Sequence, residues 1–203
     1  MSGAITWAMV ALAIGVVLVR RRSIAVGIVT LQALVLALAA LAEDRDGEHA
    51  AAAGALTLRA IVLGVLLWLL VSRTREARPV RAGAAPLARA GAAVALALAL
   101  VWLMPPFGLD SAQAERAVLS VVAVGLVTVA TRNATLFQVL GIVVVENALA
   151  MAALALPGTS SLVIEIGVTV DLLLVAVVAG VFHERIFAEF GTGDAARLRT
   201  LRD

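Results

Sequence analysis

The sequence predicts an all-α integral membrane protein with about seven transmembrane helices, an N-terminus outside the cell and a C-terminus in the cytoplasm. Hydrophobic residues make up 63% of the 203 residues, which is more than the composition of a soluble domain allows. Apolar stretches of the length that crosses a bilayer, about 20 residues, recur along the whole chain. Short segments rich in charged residues or proline separate these stretches.

Seven apolar stretches are long enough to be spanning helices. We expect helices over residues 4–20, 23–42, 51–72, 86–104, 115–131, 135–156 and 161–183. The first stretch lacks a preceding positive charge and is followed by Arg20. This order is the reverse of a signal peptide, so we expect a retained helix. The acidic segment 43–49, the prolines Pro105 and Pro106, and the short turn 132–133 separate later helices.

The distribution of the sixteen arginines predicts the orientation of the chain. The connections after helices one, three and five, together with the C-terminal tail, hold thirteen of them, including Arg89 near the start of helix four. The connections after helices two, four and six hold only Arg45 and Arg116. The positive-inside rule therefore places the first set in the cytoplasm and the N-terminus outside, which requires an odd number of helices.

The predicted helices group into three parts. An N-terminal module of three helices covers residues 1–72, a linking loop with helix four covers 73–114, and a C-terminal module of three helices with a short tail covers 115–203. A shift of 110 residues aligns Arg22 with Arg132 and Gly15 with Gly125. The first module therefore reads as a degenerate copy of the last. Two unrelated hairpins rich in alanine, valine and leucine would also align this well, so both origins stay open.

The residue types exclude several kinds of chemistry. The chain has no cysteine, which rules out iron–sulfur clusters with cysteine ligands, thiolate metal sites and disulfide bonds. His49 and His183 fall at the ends of predicted helices, which argues against a haem held in the membrane. The sequence shows no nucleotide-binding loop, metal-ligand spacing or nucleophile elbow. We therefore expect no cofactor, no metal, no nucleic-acid binding and no enzymatic activity of the chain alone.

Three charged residues lie near the middle of predicted spans, namely Arg59, Glu146 and Asp171. A charge at the centre of a membrane helix costs about 2.5–3.5 kcal/mol on translocon scales, and it marks a functional site by default. Burial favours the neutral form of a carboxyl group, whereas a nearby arginine favours the ionised form. We therefore predict that Glu146 and Asp171, on adjacent helices, form a proton or ion relay and that Arg59 biases their charge.

Three polar residues could support this relay. We expect Asn147 either to hydrogen-bond inside the bundle or to face a partner helix, and Gln32 to join the same network. We expect Glu165 to lie near the outer surface, at the mouth of the relay or simply at the interface. The alternative to a relay is a static ion pair that locks the helices together. Two membrane acids share one basic candidate, which favours the relay for the acids, while for Arg59 both roles stay open.

Three segments of the second half resemble a known family pattern: residues 131–133, residues 141–148 with the Glu-Asn pair, and residues 164–167 leading to Asp171. With them the chain resembles the membrane E component of hydrogenase-4 and formate hydrogenlyase-type complexes, which are group 4 hydrogenases. The C-terminal half is also similar to the K subunit of complex I and the C subunit of Mrp-type antiporters. Arg59 stands where the family usually has a lysine.

The resemblance implies a non-catalytic subunit in the membrane arm of a complex-I-like assembly in the bacterial plasma membrane. Its partners would be antiporter-like and complex-I-like membrane subunits, together with hydrogenase-like and iron–sulfur soluble subunits. By motif position, Glu146 and Asp171 match the two acids of the family's hydrophilic axis. Two other functions stay open. One is a subunit of an Mrp-type cation/proton antiporter, and the other is a lipid-facing scaffold between larger subunits.

Overall fold

The computed structural model describes residues 3–43, 47–74, 85–156, 177, 180–185 and 187–189. Six helices follow one another along this part of the chain: α1 (Gly3–Leu18), α2 (Arg22–Glu43), α3 (Gly47–Thr74), α4 (Pro86–Leu103), α5 (Ala112–Thr131) and α6 (Thr135–Leu154). Residues 180–185 and 187–189 are helical as well. Over the described residues the predicted all-α class is confirmed.

Five of these helices, α2 to α6, are long and apolar enough to cross a membrane. The protein is therefore a multi-pass membrane protein. Helix α1 is equally apolar but has 16 residues, since it ends at Leu18 and not at the predicted residue 20. That length is shorter than the roughly 20 residues that a membrane span needs. Most of the predicted seventh helix, residues 161–183, lies outside the described residues.

Helix α3 is longer than the sequence analysis predicts. It begins at Gly47, four residues before the expected start at residue 51, and ends at Thr74. Glu48 and His49, which we expected in a loop, therefore lie in its first turn. Residues 50–53 are all alanine, the best helix former, which explains the earlier start.

The connection from α4 to α5 is held by the first turn of α5. The Ser111 hydroxyl caps this helix and accepts a hydrogen bond from the Ala114 N–H at 3.2 Å. The carboxylate of Glu115 accepts from the N–H groups of Gly108 and Leu109, at 3.0 and 3.3 Å. Gly108 has a φ of 82°, a backbone conformation that suits glycine because it has no Cβ atom.

Helices α1, α2 and α5 each pack on three other helices. Helix α1 packs on α2, α4 and α5, and α2 packs on α1, α3 and α6. Helix α4 is the most exposed of the five candidate spans, since only 11% of its residues are buried. Apolar side chains cover the outside of the bundle, and Trp7, Trp68 and Trp102 all face outward. An outer surface of this kind fits contact with lipid or with other membrane subunits.

Helices α5 and α6 approach each other closely at two glycines. A Cβ atom on Gly125 would lie 2.8 Å from the carbonyl oxygen of Gly141, and a Cβ atom on Gly141 would lie 2.9 Å from the carbonyl oxygen of Gly125. Small residues at such a crossing let the two backbones touch, which is a common way for membrane helices to associate. The crossing fixes α6, the helix that carries Glu146 and Asn147, against α5.

Candidate functional site

An ion pair connects α3 and α6 inside the bundle. Nη2 of Arg59 lies 3.5 Å from Oε2 of Glu146. The Arg59 side chain is 3% exposed and the Glu146 side chain is 16% exposed, so the carboxylate is the member of the pair that is closer to the surroundings. Both helices pack on α2, and the pair bridges them across it. Two of the three charges singled out in the sequence are therefore brought together.

The pair lies at membrane depth. Glu146 is within two residues of the middle of the span Thr135–Leu154. Arg59 is the seventh residue of the span Ala53–Ser72, which puts its Cα atom about 5 Å from the centre at a rise of 1.5 Å per residue. The long arginine side chain covers that distance. A charge at this depth is costly without a partner, which is the physical reason for the pairing.

A second polar contact lies beside the ion pair. The Asn147 side-chain amide donates a hydrogen bond to Oε1 of Gln32 at 3.1 Å. The Gln32 amide in turn donates to the carbonyl oxygen of Met9 at 3.1 Å. Asn147, Gln32 and Met9 are all buried. These bonds connect α6 to α2 and α1, and they fix the backbone next to Glu146.

The contact between Arg59 and Glu146 is long for an ion pair. The hydrogen bond from Nη2 of Arg59 to Oε2 of Glu146, at 3.5 Å, is longer than the 2.7–2.9 Å of strong charge-assisted bonds. The Nε atom of Arg59 is buried and has no hydrogen-bond partner in the described part of the chain. A bidentate pair with every donor satisfied would lock the helices. The observed Arg59–Glu146 contact is longer than the bonds of such a pair.

Asp171 and Glu165 lie outside the described residues, so their approach to Glu146 stays a prediction. The described residues that follow them in the chain pack along α3. Val177, Gly180 and Val181 line one wall of a cavity of about 240 Å³, and Leu66 and Leu70 of α3 contribute to the opposite wall. The C-terminal segment therefore runs beside the helix that carries Arg59.

Three arginines expected in cytoplasmic connections are buried. Arg22 is 8% exposed, and Arg89 and Arg132 are each 1% exposed. Nη2 of Arg132 donates hydrogen bonds to the carbonyl oxygens of Val17, at 3.0 Å, and Val19. Its guanidinium also lies 4.0 Å from the centre of the Phe137 ring. Arg132 thereby caps the C-terminus of α1.

No signal in the sequence separates these three arginines from ordinary interfacial ones. An arginine beside a helix end is the usual topology determinant of a membrane protein. Whether it points outward or under a neighbouring helix depends on packing that the local sequence does not encode. Among the described residues, no group of three or more histidine or carboxylate side chains could hold a metal ion.

Comparison with known proteins identifies one relative. The chain is similar to the uncharacterized protein Rv0085 of Mycobacterium tuberculosis, with 31% identity over 170 residues that cover 78% of this chain and 76% of that protein. No protein-family model matches the sequence. No solved structure matches it.

Proposed function

We propose that this chain, which belongs to the same protein family as the mycobacterial protein Rv0085, is a non-catalytic membrane-arm subunit of a complex-I-like assembly. The assembly would be a group 4 hydrogenase or a hydrogenase-related complex in the bacterial plasma membrane. In this proposal the chain crosses the membrane seven times, with the N-terminus outside. It contributes buried acids to proton or ion movement, and other subunits transfer the electrons.

The observation that carries the proposal is the loose Arg59–Glu146 pair at membrane depth. A charged pair inside a bundle of apolar helices is expensive, and a purely structural contact could be made by apolar side chains of similar size at no such cost. The pair is held at one distance of 3.5 Å, with further donor capacity on Arg59. These features support a role in which Glu146 changes its partner and its proton.

Arg59 serves in this proposal as a fixed positive charge. Arginine does not release its proton in proteins, so Arg59 cannot pass one on. Its presence near Glu146 favours the ionised carboxylate, and its withdrawal favours uptake of a proton because the surrounding helices are apolar. A movement of α3 relative to α6 would therefore change the protonation of Glu146, which is the elementary step of a relay.

Asp171 is the proposed second member of the relay, and Glu165 is proposed at its outer mouth. Both roles rest on the sequence and on the family resemblance. The described part of the C-terminal segment supports them indirectly, since it packs along α3. Asn147 and Gln32 are the proposed positioning residues, because their hydrogen bond fixes the stretch of α6 that carries Glu146.

Identification of the proteins that co-purify with the chain tests this proposal. The tagged protein is purified from its native membranes in a mild non-ionic detergent, with an untagged strain as the control, and the accompanying proteins are identified by mass spectrometry. We expect hydrogenase-like and iron–sulfur subunits together with antiporter-like membrane subunits. Antiporter subunits alone would replace the proposal with the Mrp-type function. Recovery of the chain without any partner would contradict both.

A further inference from the structure

Three arginines meet at one end of the bundle, where α1 and α5 end and α4 and α6 begin. Arg132 follows α5 and reaches the last carbonyl groups of α1. Arg89 lies in the first turn of α4, which packs against both α1 and α5. Arg20 follows α1 and is exposed. The N-termini of α4 and α6 add the positive ends of two helix dipoles to this end of the bundle.

The two buried arginines of this cluster lack partners for most of their donors. All three nitrogens of the Arg89 guanidinium are buried without a hydrogen-bond partner among the described residues. Nε and Nη1 of Arg132 are also buried without a hydrogen-bond partner among the described residues. Buried charged donors are normally paired, since leaving them unsatisfied costs the full desolvation penalty. Arg59, in contrast, faces the carboxylate of Glu146.

Among the described residues, the charges that act on Arg89 and Arg132 are positive. Burial, with the positive charges of Arg89 and Arg20, lowers the pKa of Arg132 to about 10. The three side chains are thus close enough to repel one another. An anion placed among them would supply acceptors to the unpaired donors and would turn this repulsion into attraction. Phosphate suits several guanidinium groups especially well, because it presents several acceptor oxygens.

We propose that the cluster of Arg20, Arg89 and Arg132 binds the phosphate group of an anionic phospholipid. Basic pockets between membrane helices at the cytoplasmic side are typical sites for such headgroups. The acyl chains have an apolar surface beside the site, since α4 is the most exposed span and Leu87, in the same turn as Arg89, is 82% exposed. Because the Arg89 nitrogens are buried, binding requires a local rearrangement that exposes them to the headgroup.

This inference rests on the membrane location and the proposed orientation of the chain, and not on its role in ion movement. The test uses the purified full-length chain in a non-ionic detergent. Thermal unfolding is followed by the fluorescence of its three tryptophans with added phosphatidylglycerol, phosphatidylcholine or inorganic phosphate. We expect phosphatidylglycerol to raise the unfolding midpoint, because a ligand that binds only the folded state stabilises it. Phosphatidylcholine, whose headgroup carries no net charge, should have a much smaller effect.

Variants connect the effect to the cluster. Arg89→Gln should lose at least half of the rise that phosphatidylglycerol causes, and Arg89→Lys should keep most of it. The matched control is Arg116→Gln, since Arg116 is exposed in the first turn of α5, at the opposite end of that helix from Arg132. This variant should respond as the wild type does. The proposed site would be wrong if phosphatidylglycerol raised the unfolding midpoint of Arg89→Gln as much as that of the wild type. It would also be wrong if phosphatidylcholine raised the wild-type midpoint as much as phosphatidylglycerol does. If inorganic phosphate raised the unfolding midpoint and phosphatidylglycerol did not, the cluster would be a site for free phosphate and the lipid proposal would be wrong.

Discussion

The Arg59–Glu146 pair places two charges of unequal chemistry in one apolar environment. The carboxyl group can become neutral by taking up a proton, whereas the guanidinium keeps its charge. Loss of one partner therefore has different consequences for the other. With the Arg59 Nη2–Glu146 Oε2 distance at 3.5 Å, the two side chains stabilise each other while remaining separable. This asymmetry allows the contribution of each side chain to be measured separately.

The first prediction concerns the free energy of unfolding of single and double variants of this pair. Glu146→Gln should destabilise the chain by about 3 kcal/mol, because it leaves a permanent charge without its partner. Arg59→Gln should cost less, since Glu146 can then bind a proton. The double variant Arg59→Gln/Glu146→Gln should recover much of the loss. Thermal unfolding of the purified variants, arranged as a double-mutant cycle, gives the coupling energy. Additive effects would show that the two side chains do not interact.

The second prediction concerns the Gln32–Asn147 hydrogen bond. Gln32→Leu removes the acceptor of the Asn147 amide and should cost about 1 kcal/mol, the scale measured for buried hydrogen bonds in membrane proteins. Gln32→Leu/Asn147→Leu should cost less than the sum of the two single changes. The same unfolding assay measures both. A single variant as stable as the wild type would mean that this contact does not stabilise the folded state.

Site residues could be predicted from the sequence where burying their polar groups in a membrane costs much free energy. Arg59, Glu146 and Asn147 stand out in the sequence because charged or strongly polar groups interrupt apolar stretches. The sequence could not say which acid Arg59 contacts, since that depends on how α3 and α6 sit across α2. Arg89 was missed for a related reason. Helix α4 is apolar around its whole circumference, so its sequence does not show which side faces α1 and α5.

At the scale of helices, the α5–α6 crossing depends on two glycines. Gly125→Ala would place a methyl group 2.5 Å from Cγ2 of Val145 and 2.8 Å from the Gly141 carbonyl oxygen, so the helices must separate. We expect a loss of about 1–3 kcal/mol, the range for overpacking. The matched control is Gly91→Ala, because Gly91 lies in α4 with no atom within 4 Å of the added Cβ. That variant should be at least as stable as the wild type, and a similar loss in both would contradict the close crossing.

Helix positions could be predicted well where the ends carry strong signals. The fourth helix is followed by Pro105 and Pro106 and ends within a residue of the expected position. The ends of α1 and the start of α3 were less predictable. Arg132, more than a hundred residues away, donates hydrogen bonds to the final carbonyl groups of α1. The local sequence around the end of α1 gives no signal for such a long-range cap. The three-part division and the internal repeat stay predictions.

At the scale of the whole molecule, the arginine distribution predicts which ends of the helices face the cytoplasm. The chain has no cysteine, so single cysteines can report on each end without background. Ser23→Cys and Asp110→Cys are exposed positions before and after an odd number of helices. In intact cells a membrane-impermeant maleimide should label Asp110→Cys, and Ser23→Cys should react only after the membrane is opened. The reverse pattern would invert the proposed orientation.

The sequence predicts the membrane class from composition alone, because a 63% hydrophobic chain has few other ways to bury its surface. It predicts function only through the few charges that this environment makes costly. Partner subunits and the moving ion depend on surfaces outside this chain. The fold therefore follows from general physics, whereas the assembly has to be found by experiment.

Proton movement by assembled complexes in inverted membrane vesicles shows whether Glu146 takes part in a proton relay. The variant to compare with wild type is Arg59→Gln/Glu146→Gln, with co-purification to verify assembly and the electron-transfer rate as an internal control. Because this variant removes the titratable acid together with its charged partner, the relay predicts that proton movement falls severalfold while the complex remains assembled. Wild-type proton movement in the assembled double variant would contradict the relay and show that the pair only holds the helices together.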